Sequence, residues 1–283
     1  MNTLIRPRKP LMALLMSLVL PGFGQLYNGE VNRAIWWFLI YCAVGVPGLA
    51  LVALYVPSGL MLPALLLAVF ATLSLWVYGM VDAWRSAQRQ PDYVPRVWQT
   101  SGLYVIVLIM CALIVQPLFV SYIRNHQIES FRIPSLSMEP TLMHGDYIFA
   151  DKRYNCPNCK QAVQRGDIAI FTYPNDRTKY YVKRIVGLPG ERVQVIGNQV
   201  LIDGRSLTVT QTDWSPKGSR LADIDLVVPG GQVYVLGDNR DNSVDSRSFG
   251  AVPLQDVVGR VRQIWFSYAD RTIRWNRLGK ILD

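Results

Sequence analysis

Three stretches of this 283-residue chain, 35–56, 59–81 and 102–120, contain no charged residue. Each approaches the roughly 20 apolar residues that a bilayer-spanning helix needs. A helix apolar on every side for that length has no polar face to turn toward water. Charge is distributed accordingly. Residues 1–123 hold only ten charged side chains, whereas the remaining 160 residues hold 22 Lys/Arg and 17 Asp/Glu. The expected organisation is a membrane region over 1–123, followed by a water-facing domain over 124–283.

A fourth apolar stretch, 11–27, is interrupted by Pro21-Gly22 after about ten residues, too short to span. Arg6, Arg8 and Lys9 precede it, as in a signal peptide, but no small-x-small cleavage site follows. A re-entrant or interfacial helix is expected instead. The run Pro21-Gly22-Phe23-Gly24-Gln25-Leu26-Tyr27-Asn28-Gly29 resembles the opening of a small two-span membrane hairpin module. Topology follows from the basic residues. Arg6, Arg8, Lys9 and Arg33 precede the first full span, and Arg85, Arg89 and Arg96 lie between the second and third. The loop at Pro57-Ser58 carries no charge. The N-terminus and the 82–101 loop are therefore expected in the cytoplasm, and residues 124–283 on the outer face.

The net charge of +9 does not point to nucleic acid. No Lys/Arg run exceeds two residues, and beyond residue 123 basic and acidic side chains are interspersed. Attraction to anionic lipid is the simpler account. Of four cysteines, Cys42 and Cys111 lie in apolar stretches as packing residues. Cys156 and Cys159 form a lone Cys-Pro-Asn-Cys. Four-ligand zinc would need a second pair, and a thioredoxin-like motif would need a strand-to-helix setting rather than a polar loop. A local disulfide is expected if the domain faces an oxidising compartment.

From about residue 129 the pattern becomes short alternating runs at 167–173, 180–186, 192–196, 199–202 and 231–236, punctuated by Gly, Pro, Asn and Asp. These are strands. Ile196-Gly-Asn-Gln199 and Asp203-Gly204 have hairpin-turn chemistry, so an all-β domain is expected.

Three segments of that domain carry candidate chemistry. Pro134-Ser135-Leu136-Ser137-Met138-Glu139-Pro140-Thr141 has prolines on both sides and reads as a stiff extended loop holding two hydroxyls. Taken alone it is more simply a surface loop. On the strand around 180–186, Tyr181, Lys183 and Ile185 share one face. A lysine buried there would be desolvated, and its pKa would fall from about 10.4. A neutral amine can serve as general base toward a serine. Taken alone, a snorkelling lysine explains it as well. The third segment, Gly237-Asp238-Asn239-Arg240-Asp241-Asn242-Ser243-Val244-Asp245-Ser246-Arg247, follows a strand. A calcium loop would need a closing Glu that is missing, and an Asx-rich turn is the ordinary alternative. The only histidines, His126 and His144, sit at the membrane exit and in a polar turn, which disfavours a Ser-His-Asp triad.

Together these segments resemble the bacterial type I signal peptidases over about residues 129–262. The motifs occur in that family's order: Ser137-Met138-x-Pro140-Thr141, then Arg165-Gly166-Asp167-Ile168-x-Ile170-Phe171, then Tyr181-Val182-Lys183-Arg184-Ile185-x-Gly187, then Gly237-Asp238-Asn239-x-x-x-Ser243-x-Asp245-Ser246-Arg247. Cys156–Cys159 and the N-terminal hairpin-like extension fall outside the core pattern. The resemblance implies a multi-pass α-helical membrane region followed by a mainly antiparallel all-β catalytic domain of the signal-peptidase type. It implies a serine endopeptidase of the bacterial inner membrane that removes signal peptides from exported preproteins after Ala-x-Ala-like residues, needing no metal or organic cofactor. Ser137 would be the nucleophile and Lys183 the general base, with the Ser137 N–H and Ser135 hydroxyl as oxyanion hole. Ser243 would hydrogen-bond the Lys183 amine, Asp245 and Arg247 would pair to support that loop, and Met138 and Tyr181 would flank the dyad. Exported preproteins and membrane lipids are the expected partners, with the export channel a further candidate and nucleic acid not expected. Three other readings are a relative of the Ser–Lys self-cleaving repressors, a processing peptidase with a narrow substrate set, and a catalytically silent peptide-binding scaffold. The membrane spans oppose the first, and the full set of catalytic residue types opposes the last.

Overall fold

The computed structural model describes residues 7–45, 48, 52, 56, 58–155, 162–196, 199–207 and 223–282. The chain divides into two compact units, one formed by Met1–Val56 with Leu60–Ile123, the other by the body Arg124–Asp283.

In the first unit α1 (Pro10–Val19) opens with Pro10 at its first turn, where the missing N–H would have had no partner. It stops before Pro21. Gly22 then takes a left-handed conformation (φ +88°) only available without strain to glycine, and a Cβ there would meet the Ala34 carbonyl oxygen at 2.3 Å. The chain re-enters a helix at α2 (Phe23–Tyr27) and continues into α3 (Val31–Val44). The long α4 (Ser58–Gln88) and the composite helix Ser101–Met110, Cys111–Val115, Gln116–His126 complete the unit. The five residues Cys111–Val115 are wound as a π-helix. Pro117 explains this, since it lacks an N–H and its ring crowds the carbonyl one turn back.

Among the described residues two helices are long and apolar enough to cross a membrane: Pro63–Gln88 and Ser101–His126, with mean hydropathy 2.1 and 2.7. The expected span 35–56 is described mainly in its first part. Its described helix runs only over Val31–Val44 and is closed by the Gly45 N–H donating to the Tyr41 carbonyl. Most of 46–57 lies outside the described residues.

The segment 11–27 is knitted to α4 by small residues and buried amides. A Cβ on Gly24 would strike the Ala13 carbonyl, Ser17 Oγ and Ala83 Cβ, so this close approach requires glycine. Gln25 is fully buried; its Nε2 donates to the Gly79 carbonyl (2.9 Å) and Asp82 Oδ2 (3.0 Å). Asn28 Nδ2 donates to the Ala83 carbonyl (2.8 Å). The Gly-Gln-x-x-Asn run is thus read out by α4.

The second unit is mainly β, and its strand pairings are antiparallel. Its larger sheet orders β1 (Ile128–Arg132), β2 (Asp146–Asp151), β11 (Val257–Ala269), β3 (Ile168–Thr172), β4 (Tyr180–Gly187), β9 (Gln232–Leu236) and β10 (Val252–Pro253), with β12 (Thr272–Ile273) on β11. A smaller sheet orders β7 (Arg205–Ser206), β6 (Gln199–Ile202), β5 (Arg192–Ile196) and β8 (Ile224–Val227). All five expected strands are present. The β6–β7 turn has positive φ at Asp203 (+49°) and Gly204 (+76°), matching the twist of a two-residue hairpin. In the β5–β6 ladder Ile196 faces Gln199; the turn residues 197–198 lie outside the described residues. Strand β11, 13 residues long, pairs with β2 on one edge and β3 on the other, and its three register shifts bend it. This curl leaves a cleft where the β1–β2 connection, β4 and the segment after β9 meet.

Candidate active site

Lys183 lies in the middle of β4, directly across from Ala169 of β3. Strand alternation turns it to the same side as Tyr181 and Ile185. Only 4% of it is exposed. Its Nζ donates to Ser137 Oγ at 2.7 Å and to the Val182 carbonyl at 3.1 Å. Burial of the ammonium pulls the Lys183 pKa down to about 8, against the opposing pull of Asp245 and Asp238. Tyr181 stacks on Tyr173 with ring centroids 4.2 Å apart, and the Lys183 amine sits 5.4 Å from the Tyr181 ring centre.

Ser137 reaches this amine from the β1–β2 connection. That connection is closed at its base by the Ile133 N–H donating to the Asp146 carbonyl and the Gly145 N–H to the Ile133 carbonyl. Ser137 is itself buried, whereas Ser135 is exposed, with its Oγ 3.2 Å from Ser137 Oγ. Met138 anchors the turn: it is 1% exposed and packs in the core with Ile133, Leu142, Ile148 and Ile264.

The segment after β9 clamps the serine turn. The Asn239 N–H donates to the Ser137 carbonyl (3.1 Å), and Asn239 Nδ2 donates to the Leu136 carbonyl (3.1 Å). Asn239 stood within the recognised motif, but nothing local to it signals that it would bridge to residues 136–137. Arg247 makes a two-pronged contact with Asp245, Nε to Oδ1 and Nη2 to Oδ2, both 2.7 Å. Asp245 Oδ2 also accepts the Gly237 N–H at 2.9 Å. A second buried fork, from Arg184 to Asp238 at 2.8 Å on each prong, ties β4 to the same segment. Such bidentate contacts fix orientation as well as distance.

Ser243 differs from the expectation. Its Oγ is buried without a hydrogen-bond partner, and the Lys183 amine points instead at Ser137 Oγ and the Val182 carbonyl. Ser243 packs against Gly237, where a Cβ would lie 2.1 Å from Ser243 Oγ and 2.6 Å from the Ser137 carbonyl oxygen. Its contribution here is to fill space that only glycine leaves open. Cys156 and Cys159 lie outside the described residues. His144 is an exposed turn residue.

Beside Ser137 and Lys183 lies a cleft of about 550 Å³, bounded by Phe131, Leu136, Tyr180 and Val244 among others. That size accommodates a short peptide segment rather than a large ligand.

A hydroxyl hydrogen-bonded to a desolvated amine, beside an apolar cleft, is the equipment of a serine hydrolase that uses an amine as base. The chain belongs to the signal peptidase family, peptidase S26, whose model matches residues 103–266, and it is a serine endopeptidase that removes signal peptides. Signal peptidase I of Rickettsia typhi is 31% identical over 190 residues, covering 49% of this chain and 72% of that protein. Signal peptidase I of Pseudomonas fluorescens is 32% identical over 193 residues, covering 52% and 68%. That of Leptolyngbya laminosa is 37% identical over 161 residues, covering 50% and 71%. A crystal structure of a signal peptidase I from Enterococcus faecalis V583 is 34% identical and covers 35% of this chain and 97% of that one, with a TM-score of 0.32.

Proposed function

We propose that this signal peptidase cuts preproteins after small residues of the Ala-x-Ala kind, with Ser137 as nucleophile and Lys183 as general base. The observation that carries the reading is the 2.7 Å hydrogen bond between a buried lysine amine and a buried serine hydroxyl. The neutral Lys183 amine removes the Ser137 proton as Oγ attacks the scissile carbonyl carbon. Negative charge develops on the carbonyl oxygen and is met by the Ser137 N–H and the Ser135 hydroxyl. The Lys183 ammonium then delivers its proton to the departing amine, leaving an acyl-enzyme. A water molecule, deprotonated by the same amine, hydrolyses the ester and restores Ser137.

The test is preprotein cleavage by the detergent-solubilised full chain across pH. The base must be neutral in the free enzyme, so kcat/KM should rise through a limb near pH 8, the value to which Lys183 is pulled, and fall about tenfold per unit below it. Ser137→Ala should be inactive at every pH. A flat profile from pH 6 to 9, or a cutting Ser137→Ala variant, would remove the dyad.

The first unit is taken to be a multi-pass anchor with residues 124–283 on the outer face, where a signal peptide's cleavage site leaves the bilayer. Tethering there raises the effective concentration of enzyme at the site. Membrane lipid and the export channel are the partners this topology offers. Aromatics on β2 and β11 form a candidate lipid-facing cluster: Phe149 stacks on Trp265 (5.4 Å) and Phe266 on Tyr268 (6.5 Å). Replacing Trp265, Phe266 and Tyr268 together by Ser should slow cleavage of a bilayer-embedded preprotein severalfold, while a short soluble peptide is cut at the parent rate. Equal slowing of both substrates would mean the cluster serves the fold instead.

A further inference from the structure

The peptidase chemistry makes no use of a polar cleft in the helical unit. It has a volume of about 430 Å³ and lies between the start of α3 and the last turns of α4, lined by Glu30, Arg33, Tyr78, Asp82, Arg85, Ser86, Arg89 and Gln90. Its acidic side chains are engaged. Glu30 takes two hydrogen bonds from Arg33 (2.9 Å each) and one from Ser86 Oγ (2.8 Å). Asp82 accepts from Arg33 (2.5 Å), Trp37 Nε1 (3.0 Å) and Gln25 Nε2 (3.0 Å). Arg33 is consumed by the same two carboxylates.

Arg85 and Arg89 are different. They sit one helical turn apart on α4 and so project on one side. Both are exposed, and among the described residues neither guanidinium has a carboxylate or other hydrogen-bond partner. Three arginines against two carboxylates leave the cleft with one net positive charge. Its depth is also informative. The charge-free run of α4 ends just before Asp82; on the membrane-anchor reading proposed above, Arg85 and Arg89 would emerge near the level where a bilayer carries its phosphates.

We propose that this cleft binds the phosphate headgroup of an anionic phospholipid, with Arg85 and Arg89 gripping the phosphate oxygens. Arginine suits the role because its planar fork meets two oxygens at once. The internal Glu30–Arg33–Asp82 network holds the walls apart and keeps the acids from neutralising the two free arginines. A single net positive charge matches a headgroup with one net negative charge, such as phosphatidylglycerol, better than a zwitterionic one.

The test is native mass spectrometry of the full-length protein in detergent, titrated with phosphatidylglycerol or phosphatidylcholine. The parent should retain phosphatidylglycerol in preference to phosphatidylcholine. Arg85→Gln with Arg89→Gln should weaken that retention by roughly thirtyfold, the expectation for two basic residues at an anionic surface. Arg85→Lys with Arg89→Lys should keep most of it, which separates lost charge from lost folding. Arg96→Gln, an exposed arginine outside the cleft, should change nothing. Equal retention by the Arg85→Gln, Arg89→Gln variant overturns the proposal, as does an equal loss in Arg96→Gln, which would mean diffuse attraction to a basic surface. Displacement of the lipid by millimolar inorganic phosphate would assign the cleft to a soluble anion and overturn the lipid assignment.

Discussion

Replacing Lys183 with Met should abolish preprotein cleavage, by roughly 10⁴-fold or more as for other essential members of a catalytic unit, and should at the same time make the protein more stable. The two effects have one cause. Lys183 is almost wholly buried, and burial lowers its pKa from 10.5 to about 8 in the folded chain. Below pH 8 both folded and unfolded chains carry the proton, and the folded state bears the full cost of the buried ammonium. Between pH 8 and 10.5 the unfolded chain still binds a proton that the folded chain has released, so stability rises with pH across that window. The cost below pH 8 is of the order of 3 kcal/mol, less whatever the hydrogen bonds to Ser137 and Val182 return. Met is close to Lys in length and carries no charge, so Lys183→Met should unfold at a higher denaturant concentration than the parent at pH 7. The gap should close above pH 10.5. A variant less stable than the parent at pH 7 would mean that the amine is not buried as described.

The second large effect lies away from the chemistry, in the support of the serine turn. Asp146 is completely buried. It accepts from Arg277 Nε (3.0 Å) and Nη2 (2.5 Å), from Ser267 Oγ (2.7 Å) and from the Met143 N–H (2.8 Å). Arg277 also donates to the Thr141 carbonyl at 2.9 Å. One carboxylate thereby joins the base of the Ser137 turn to β11 and to the C-terminal turn. Asp146→Asn leaves the Arg277 guanidinium buried without its counter-charge, and should cost about 3–5 kcal/mol. Arg277→Met should cost a similar amount by stranding the carboxylate. Because each single change carries the penalty of an unpaired charge, the double variant should be less destabilised than the sum of the two. Denaturant unfolding of the four proteins measures this coupling, and additive losses would mean that the two side chains do not act as a pair. Asp146→Asn should also lower kcat by loosening the turn that presents Ser137.

Much of this was legible in order along the chain. Long charge-free runs mark helices suited to lipid because hydrophobicity is a local property of a segment. Alternation at 167–173, 180–186 and 231–236 marks strands because successive side chains take opposite faces. Asp203-Gly204 marks a hairpin turn because both residues tolerate positive φ. The apolar strand face of Lys183 allowed either a buried or a snorkelling amine, and the packing of β4 decided for burial. Motif order linked Ser137 to Lys183 only through resemblance to a family.

Other features depended on which distant segments meet. The 13-residue β11 holds charged residues such as Arg260 and Arg262 among apolar ones and carries bulges that break the period-2 pattern, so no single window announces it. Ser243 has the right chemistry to bond an amine, yet its hydroxyl faces Gly237, a matter of loop path rather than residue type. Asn239 to Leu136 spans 103 positions and Arg277 to Asp146 spans 131. Hydrogen bonds over such separations follow from how the sheet curls and closes. The sequence by itself determined which segments are apolar throughout and which alternate as strands, since both are set by side-chain type and near neighbours. Only the tertiary structure decided which hydroxyl meets the lysine, what holds it there and where two arginines remain unpaired, since each requires segments far apart in the chain to pack together.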